Sequence, residues 1–219
     1  MPLILAIDTT TEYGSLALVR GGELLDETLL HAPGSFSSVL YEELARLLQR
    51  HGLKLADVDC FAAASGPGTF TGVRVGLACV MGLAEAMGRP AAAVSNLQAL
   101  ARFGAARFRG VVLDARRGDI YGAVYDEAGT LVAPEVVSKL APWFQSLPDG
   151  VEEFLSNDLA LNLEGTRFSS ARSVASPRAL ASAVAHIAAE RLARGEASGA
   201  ADLDANYVRR TDAELALKI

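Results

Sequence analysis

Val58-Asp59-Cys60-Phe61-Ala62-Ala63-Ala64-Ser65-Gly66-Pro67-Gly68-Thr69-Phe70-Thr71-Gly72-Val73-Arg74-Val75-Gly76 is an apolar run of strand length that breaks at a glycine turn and resumes at helical spacing. The helical pattern runs from Thr71 to Met87 and is closed by Gly88-Arg89-Pro90. A strand, a turn and a helix make half of a crossover, and crossovers add strands in parallel. The strands to be extended lie upstream. Leu3 to Ile7 is a short apolar run that ends in Asp8-Thr9-Thr10-Thr11, and Ser15 to Arg20 and Glu23 to Leu30 flank Gly21-Gly22. Two glycines there suit the positive φ of a tight hairpin. Phe36, Val39, Leu40, Leu44, Leu47 and Leu48 recur at helical spacing over Phe36 to Arg50. Ala91 to Val94 reads as a fifth strand, and Ser95-Asn96 can cap a short helix from Leu97 to Phe103. The expectation is an α/β lobe of three antiparallel strands extended by two strand-helix crossovers.

The pattern then restarts. Gly110 to Asp114 is an apolar strand ending in a polar turn, with Ile120 to Tyr125 and Thr130 to Val137 as hairpin neighbours, in the order of residues 3 to 30. Pro142-Trp143-Phe144 opens a short helix, Val151 to Asn157 reads as another strand, and Pro177 to Arg194 is the strongest helix of this half. Two lobes follow, residues 1–104 and a reduced copy over residues 105–219, with an irregular tail from Ala205.

Composition narrows the function. With 51% apolar and 21% charged residues the chain reads as globular, and a net charge of −6 lacks the broad basic footprint of a protein that binds nucleic acid by itself. The basic clusters Arg102, Arg107, Arg109 and Arg116-Arg117 read either as solvated faces or as local RNA contacts. Cys60 and Cys79 lie in apolar runs, which suits reduced, buried thiols and a cytoplasmic protein. No basic-start signal peptide and no uncharged apolar run of bilayer length are read, so no membrane role is expected.

The glycine string invites a phosphate cradle, because N–H groups at a glycine turn before a helix attract anions. Its spacing argues otherwise. A P-loop needs Lys and Ser or Thr after the last glycine, where Val73 and Arg74 follow Gly72, and a dinucleotide fingerprint needs glycine where Thr71 stands. The structural alternative assigns Gly66, Pro67 and Gly68 to the turn and lets Gly72, Gly76 and Gly82 thin the helix for a close backbone contact, inside the chain or across an interface. Asp8, Thr9 and Thr10 could hold a Mg²⁺-phosphate or serve strand-end hydrogen bonds. The opposing turn, Asp114-Ala115-Arg116-Arg117-Gly118-Asp119, carries bulky cations in place of small residues, leaving half a nucleotide site. His31, His51 and His186 have no i, i+3 or i, i+4 partner for a metal, and no Gly-x-Ser-x-Gly elbow marks a hydrolase. No catalytic, metal or cofactor residue is expected.

Leu5-Ala6-Ile7-Asp8-Thr9-Thr10-Thr11, the string Ser65 to Gly76, Val94-Ser95-Asn96-Leu97, Leu113 to Tyr121 and the closing Asn206-Tyr207-Val208-Arg209-Arg210 together resemble the TsaB (YeaZ) family, in order and spacing. That resemblance implies two RNase H-like lobes of the actin-like ATPase (ASKHA) superfamily, the second reduced. It implies a non-catalytic subunit that pairs with the catalytic paralogue TsaD and the ATPase TsaE while threonylcarbamoyl-adenylate donates its acyl group to N6 of adenosine 37 of tRNA. The tRNA is then contacted mainly through the complex, and the chain forms a homodimer when alone. Pairing through the first two helices makes Ser65 to Gly76 a docking element and Leu40, Leu44, Leu47, Gly72, Val75, Gly76 and Cys79 the expected interface. The family's His-Ser-Glu and Leu-Leu-Pro before the first helix are replaced by His31-Ala32-Pro33-Gly34 and Val39-Leu40-Tyr41. An ATP-dependent phosphotransferase built on Asp8 and Thr10, and a peptidase, are the rival readings.

Overall fold

The computed structural model describes residues 1–33 and 35–208. Gly34 and the Arg209-Arg210 end of the closing motif lie outside the described residues. The chain divides into two compact units, one formed by Met1–Asn96 with Arg178–Asn206, the other centred on Leu97–Pro177.

In the first unit, β1 (Leu3–Asp8), β2 (Tyr13–Arg20) and β3 (Glu23–His31) form an antiparallel meander, turned at Gly21 and Gly22 with positive φ. A 3-10 turn at Phe36–Ser38 and α1 (Leu40–Arg50) then lead to β4 (Cys60–Ala64), and α2 (Phe70–Met87) leads to β5 (Ala91–Val94). Both added strands are parallel to β1, giving the order β3-β2-β1-β4-β5. The expected single helix from Phe36 divides at Val39, where the 3-10 turn hands over to α1. Every residue of β1 is buried, because the central strand is covered on both faces. Leu3, Leu5 and Ile7 pack into one cluster with Phe61, Leu40, Leu44, Leu47, Val73 and Val80. By strand alternation Ile4 and Ala6 point the other way. Among the described residues α2 is the one helix long and apolar enough by composition to cross a membrane, yet its Val73, Leu77, Val80 and Ala84 are buried in the unit's core.

The second unit follows the short helix α3 (Asn96–Ala101) and repeats the plan. β6 (Phe108–Arg116), β7 (Asp119–Asp126) and β8 (Leu131–Ser138) form the meander, and after α4 (Leu140–Ser146) come β9 (Glu153–Ser156) and β10 (Arg172–Ala175), parallel to β6. The order β10-β9-β6-β7-β8 is the topology of the first sheet. Reduction is visible where α2 has its counterpart: residues 157–171 join β9 to β10 through turns, and Phe168 packs edge-on against Phe144 and Phe154 to cover the sheet.

The last helix corrects the expected division at residue 104. α5 (Ala181–Ala193) starts after Leu180 rather than at Pro177 and lies in the first unit, against β1, β2, β4 and β5. The cause is at its N-terminus. Ser15 Oγ, fully buried on β2, accepts from the N–H groups of Leu180 (3.1 Å) and Ala181 (3.0 Å), and Glu27 of β3 accepts from the N–H and hydroxyl of Ser182 at 2.7 and 3.0 Å. Helix donors that no intrahelical carbonyl can satisfy are met by the far end of the chain's first hairpin. Ser15→Ala should therefore orphan two buried N–H groups and cost about 2 kcal/mol. The expected result in thermal unfolding is a Tm lower by about 4–8 °C, and an unchanged Tm would refute this account of α5 docking.

Candidate functional site

Three of the motifs that carry the resemblance, Leu5 to Thr11, Ser65 to Gly76 and Asn96 of Val94 to Leu97, meet at the end of β1, joined by Asn206 of the closing motif. Asp8 Oδ1 accepts from the backbone N–H and the hydroxyl of Thr10, at 2.9 and 2.7 Å. Asn96 Nδ2 donates to that hydroxyl at 2.7 Å, while Asn96 Oδ1 accepts from Gly66 N at 2.9 Å. The Asn96 amide thus ties the β1 turn to the glycine turn instead of capping α3. Gly66 precedes a cis proline, Pro67, and holds a φ of 106°. Asn206 closes the outer side, its N–H donating to Ser65 O at 2.8 Å.

Onto this turn the start of α2 is laid backbone to backbone. Thr69 N–H donates to Thr10 O at 2.7 Å, the Thr69 hydroxyl caps the helix by accepting from Gly72 N, and the Thr9 hydroxyl donates to Gly72 O at 2.7 Å. A Cβ on Gly72 would overlap Thr9 O, and one on Gly76 would lie 2.7 Å from Thr9 Oγ1. These two glycines therefore serve a contact inside the chain. Asp8, Thr9 and Thr10 are buried; Asp8 Oδ1 is bonded to Thr10, the Thr9 hydroxyl to α2, and the Thr10 hydroxyl to Asp8 and Asn96. Burial pushes the Asp8 carboxyl above the ordinary carboxylate range, against the lowering effect of the bonds from Thr10 and Asn96.

Other expected site residues are equally internal. Leu40, Leu44, Leu47 and Cys79 are buried in the core of this unit, and Val75 is half-buried at its margin. The stripe read as an interface is the face that α1 and α2 turn to their own sheet. The opposite sides are open: Tyr41, with 61% exposure, and Ala45 on α1, Ala78 and Gly82 on α2, with Met81 beside them. Tyr41 lies close enough to Cys79 to interact with its thiol, whose pKa burial pushes up against the lowering effect of Tyr41. Spacing alone could have found this second stripe, since Tyr41 and Ala45, and Ala78 and Gly82, are each four residues apart.

A family model described as "TsaD: tRNA N6-adenosine threonylcarbamoyltransferase" matches residues 32–208. The tRNA threonylcarbamoyladenosine biosynthesis protein TsaB of Bacillus subtilis is 32% identical over 167 residues, 73% of this chain and 72% of that one. The chain belongs to the TsaB family. The Escherichia coli TsaB protein is 36% identical over 64% of this chain and 62% of its own length. YeaZ from Pseudomonas aeruginosa superposes with a TM-score of 0.77 at 29% identity, over 94% of this chain and all of that one. The TsaB match agrees with the expected two-lobed ASKHA-type α/β fold.

The histidines have structural partners. His31 stacks on Tyr13 at 4.6 Å, His51 Nε2 pairs with Asp26 at 2.9 Å, and the ring nitrogens of His186 face the carbonyls of Ser182 and Gly22. In the second unit the turn equivalent to Asp8-Thr10 keeps the same bond, Arg116 N–H to Asp114 Oδ1 at 2.8 Å. Here a bulge interrupts the β6–β7 register between Asp114 and Arg116, and Arg116 and Arg117 have φ of 65° and 57°. Left-handed backbone costs a non-glycine residue about 1 kcal/mol or more.

Two outcomes test the closed turn. Gly76→Ala should lower Tm, and the same change in a Thr9→Ala background should cost much less, because the atom it meets is gone; additive losses would rule out the contact. Asp8→Asn keeps an acceptor for Thr10 while removing the buried charge. A carboxyl with a raised folded pKa contributes stability below its unfolded pKa and loses it as pH rises through the folded one. The variant should therefore match or exceed the parent Tm at pH 7 and show a flatter stability profile over that window. A lower Tm at pH 7 with an unflattened profile would contradict it.

Proposed function

We propose that this protein is a non-catalytic subunit of the tRNA N6-threonylcarbamoyladenosine synthesis machinery, binding and stabilising a TsaD-type catalytic subunit together with a TsaE-type ATPase. The interface is the outward side of α1 and α2, not the buried stripe, and the same side joins two copies when the chain is alone. Family membership supports the pathway. The observation that carries the interface is Gly82: it stands in the interior of α2, is exposed, and has no atom within 4 Å of the position its Cβ would occupy. Glycine costs a helix about 1 kcal/mol relative to alanine. At Gly72 and Gly76 that cost is offset by contact with Thr9; at Gly82 nothing inside the unit offsets it. A helix from another protein approaching over Ala78 and Gly82 would.

Burial of Asp8 and Thr10, with Thr10 bonded to Asn96 and to the start of α2, supports this reading over an ATP-dependent phosphotransferase. The peptidase reading finds its three histidines held by Tyr13, Asp26 and two backbone carbonyls.

Gly82→Arg separates fold from function because the two effects have opposite signs. Relief of the helix cost should hold or raise Tm by about 2–4 °C, while binding to the catalytic partner, followed by calorimetry, should weaken by about a hundredfold, in the range of a truncated interface hot spot. Unchanged binding would overturn the interface. Threonylcarbamoyl transfer to tRNA that proceeds undiminished with this chain omitted would overturn the function.

A further inference from the structure

We infer that the Arg116-Arg117 turn between β6 and β7 is a contact for the phosphate backbone of RNA. The inference rests on the proposed role in tRNA modification and adds a surface of this chain that touches the nucleic acid. Comparison of the two units carries it. Both carry in the last residues of their first strand an aspartate that accepts a bond from the N–H two residues on, Asp8 from Thr10 and Asp114 from Arg116. In the first unit the start of α2 then covers the turn. In the second, residues 157–171 supply no such helix, and the turn projects with Arg116 and Arg117 exposed.

The turn is also held still. Asp158 accepts from Asp114 N–H at 3.0 Å, and Lys139 Nζ donates to Arg117 O at 3.0 Å and pairs with Asp119 at 2.8 Å. Asp114, Asp119 and Asp158 surround the turn, Asp158 also lying in the field of Arg116. Asp114 Oδ2 lies 3.7 Å from Arg116 Nη1, and the Arg116 side chain still keeps 77% exposure. Glycine would adopt the φ of 65° and 57° at these positions without steric cost, as Gly118 does next in the chain. Two arginines stand there instead, displayed by a braced bulge; bulges and left-handed residues of this kind gather at functional sites. Exposed guanidinium groups match phosphate oxygens in charge and in their forked donors, and here two adjacent ones stand at the outer rim of the turn with the carboxylates at its base.

The test uses this chain assembled with its catalytic partner and measures fluorescence anisotropy of labelled tRNA across a salt series. Arg116→Ala/Arg117→Ala should weaken tRNA binding by about tenfold and reduce the slope of log affinity against log salt by about one to two. Arg116→Gly/Arg117→Gly should lose the same binding while holding or raising Tm. Unchanged affinity and slope in the alanine variant overturns the inference. A lower Tm in the glycine variant does so too, since the arginines would then brace the fold, and so does weakened assembly with intact tRNA binding, which would make the turn a protein contact. The unsubstituted complex is measured alongside: if it neither assembles nor modifies tRNA, the proposed function falls, whereas a working complex with an indifferent double variant removes this inference alone.

Discussion

Two stretches of backbone touch where β1 ends and α2 begins, and most of the first unit is arranged by that contact. Thr10 O receives Thr69 N–H, Gly72 O receives the Thr9 hydroxyl, and no side chain can stand between them at residues 72 and 76. Interlocked in this way, α2 has little freedom to rotate about its axis. Its Val73, Leu77 and Val80 meet the sheet, so Ala78 and Gly82 must face outward. The same contact engages the Thr9 hydroxyl and Thr10 O, while Asp8 accepts from Thr10. Burial of the β1 turn and definition of a helical face are thus two results of one packing event.

The duplicated sheet shows what happens without it. β6 carries near its end the same aspartate-anchored bond as β1, yet residues 157–171 return no helix like α2. Aromatic side chains take over the burial, with Phe144, Phe154 and Phe168 in edge-on contact at 5.0–5.8 Å. A core made by a few large rings leaves the strand ends uncovered. The exposed arginine turn is therefore a structural consequence of the reduction and not an insertion added to the fold.

Strand-glycine-helix order, the Gly21-Gly22 hairpin and the restart at Gly110 were legible because each rests on local chemistry: apolar runs, turn residues and spacing. β10 was not, since Arg172–Ala175 is a short, largely exposed edge strand without an apolar signature. The placement of α5 depends on Ser15 and Glu27 reaching its N-terminus, more than 150 residues away in sequence, which no local pattern encodes. The site shows the same limit. Leu40, Leu44 and Leu47 repeat as an interface or a core would, and periodicity alone does not separate the two; only the position of the sheet does. The glycines were recognised as marks of close approach, but the approaching atom is Thr9 of the same chain.

A helical face held by internal bonds has an energetic meaning for the proposed binding role. An open phosphate loop carries unpaired donors and gains stability only when its ligand arrives. Here those donors are paired within the chain, so α1 and α2 are held in place without any ligand, and the cost of ordering them falls on folding instead of on association. The small residues at Ala45, Ala78 and Gly82 extend the argument. They lose few rotamers on contact and let helices come close, so burial there is offset little by side-chain entropy.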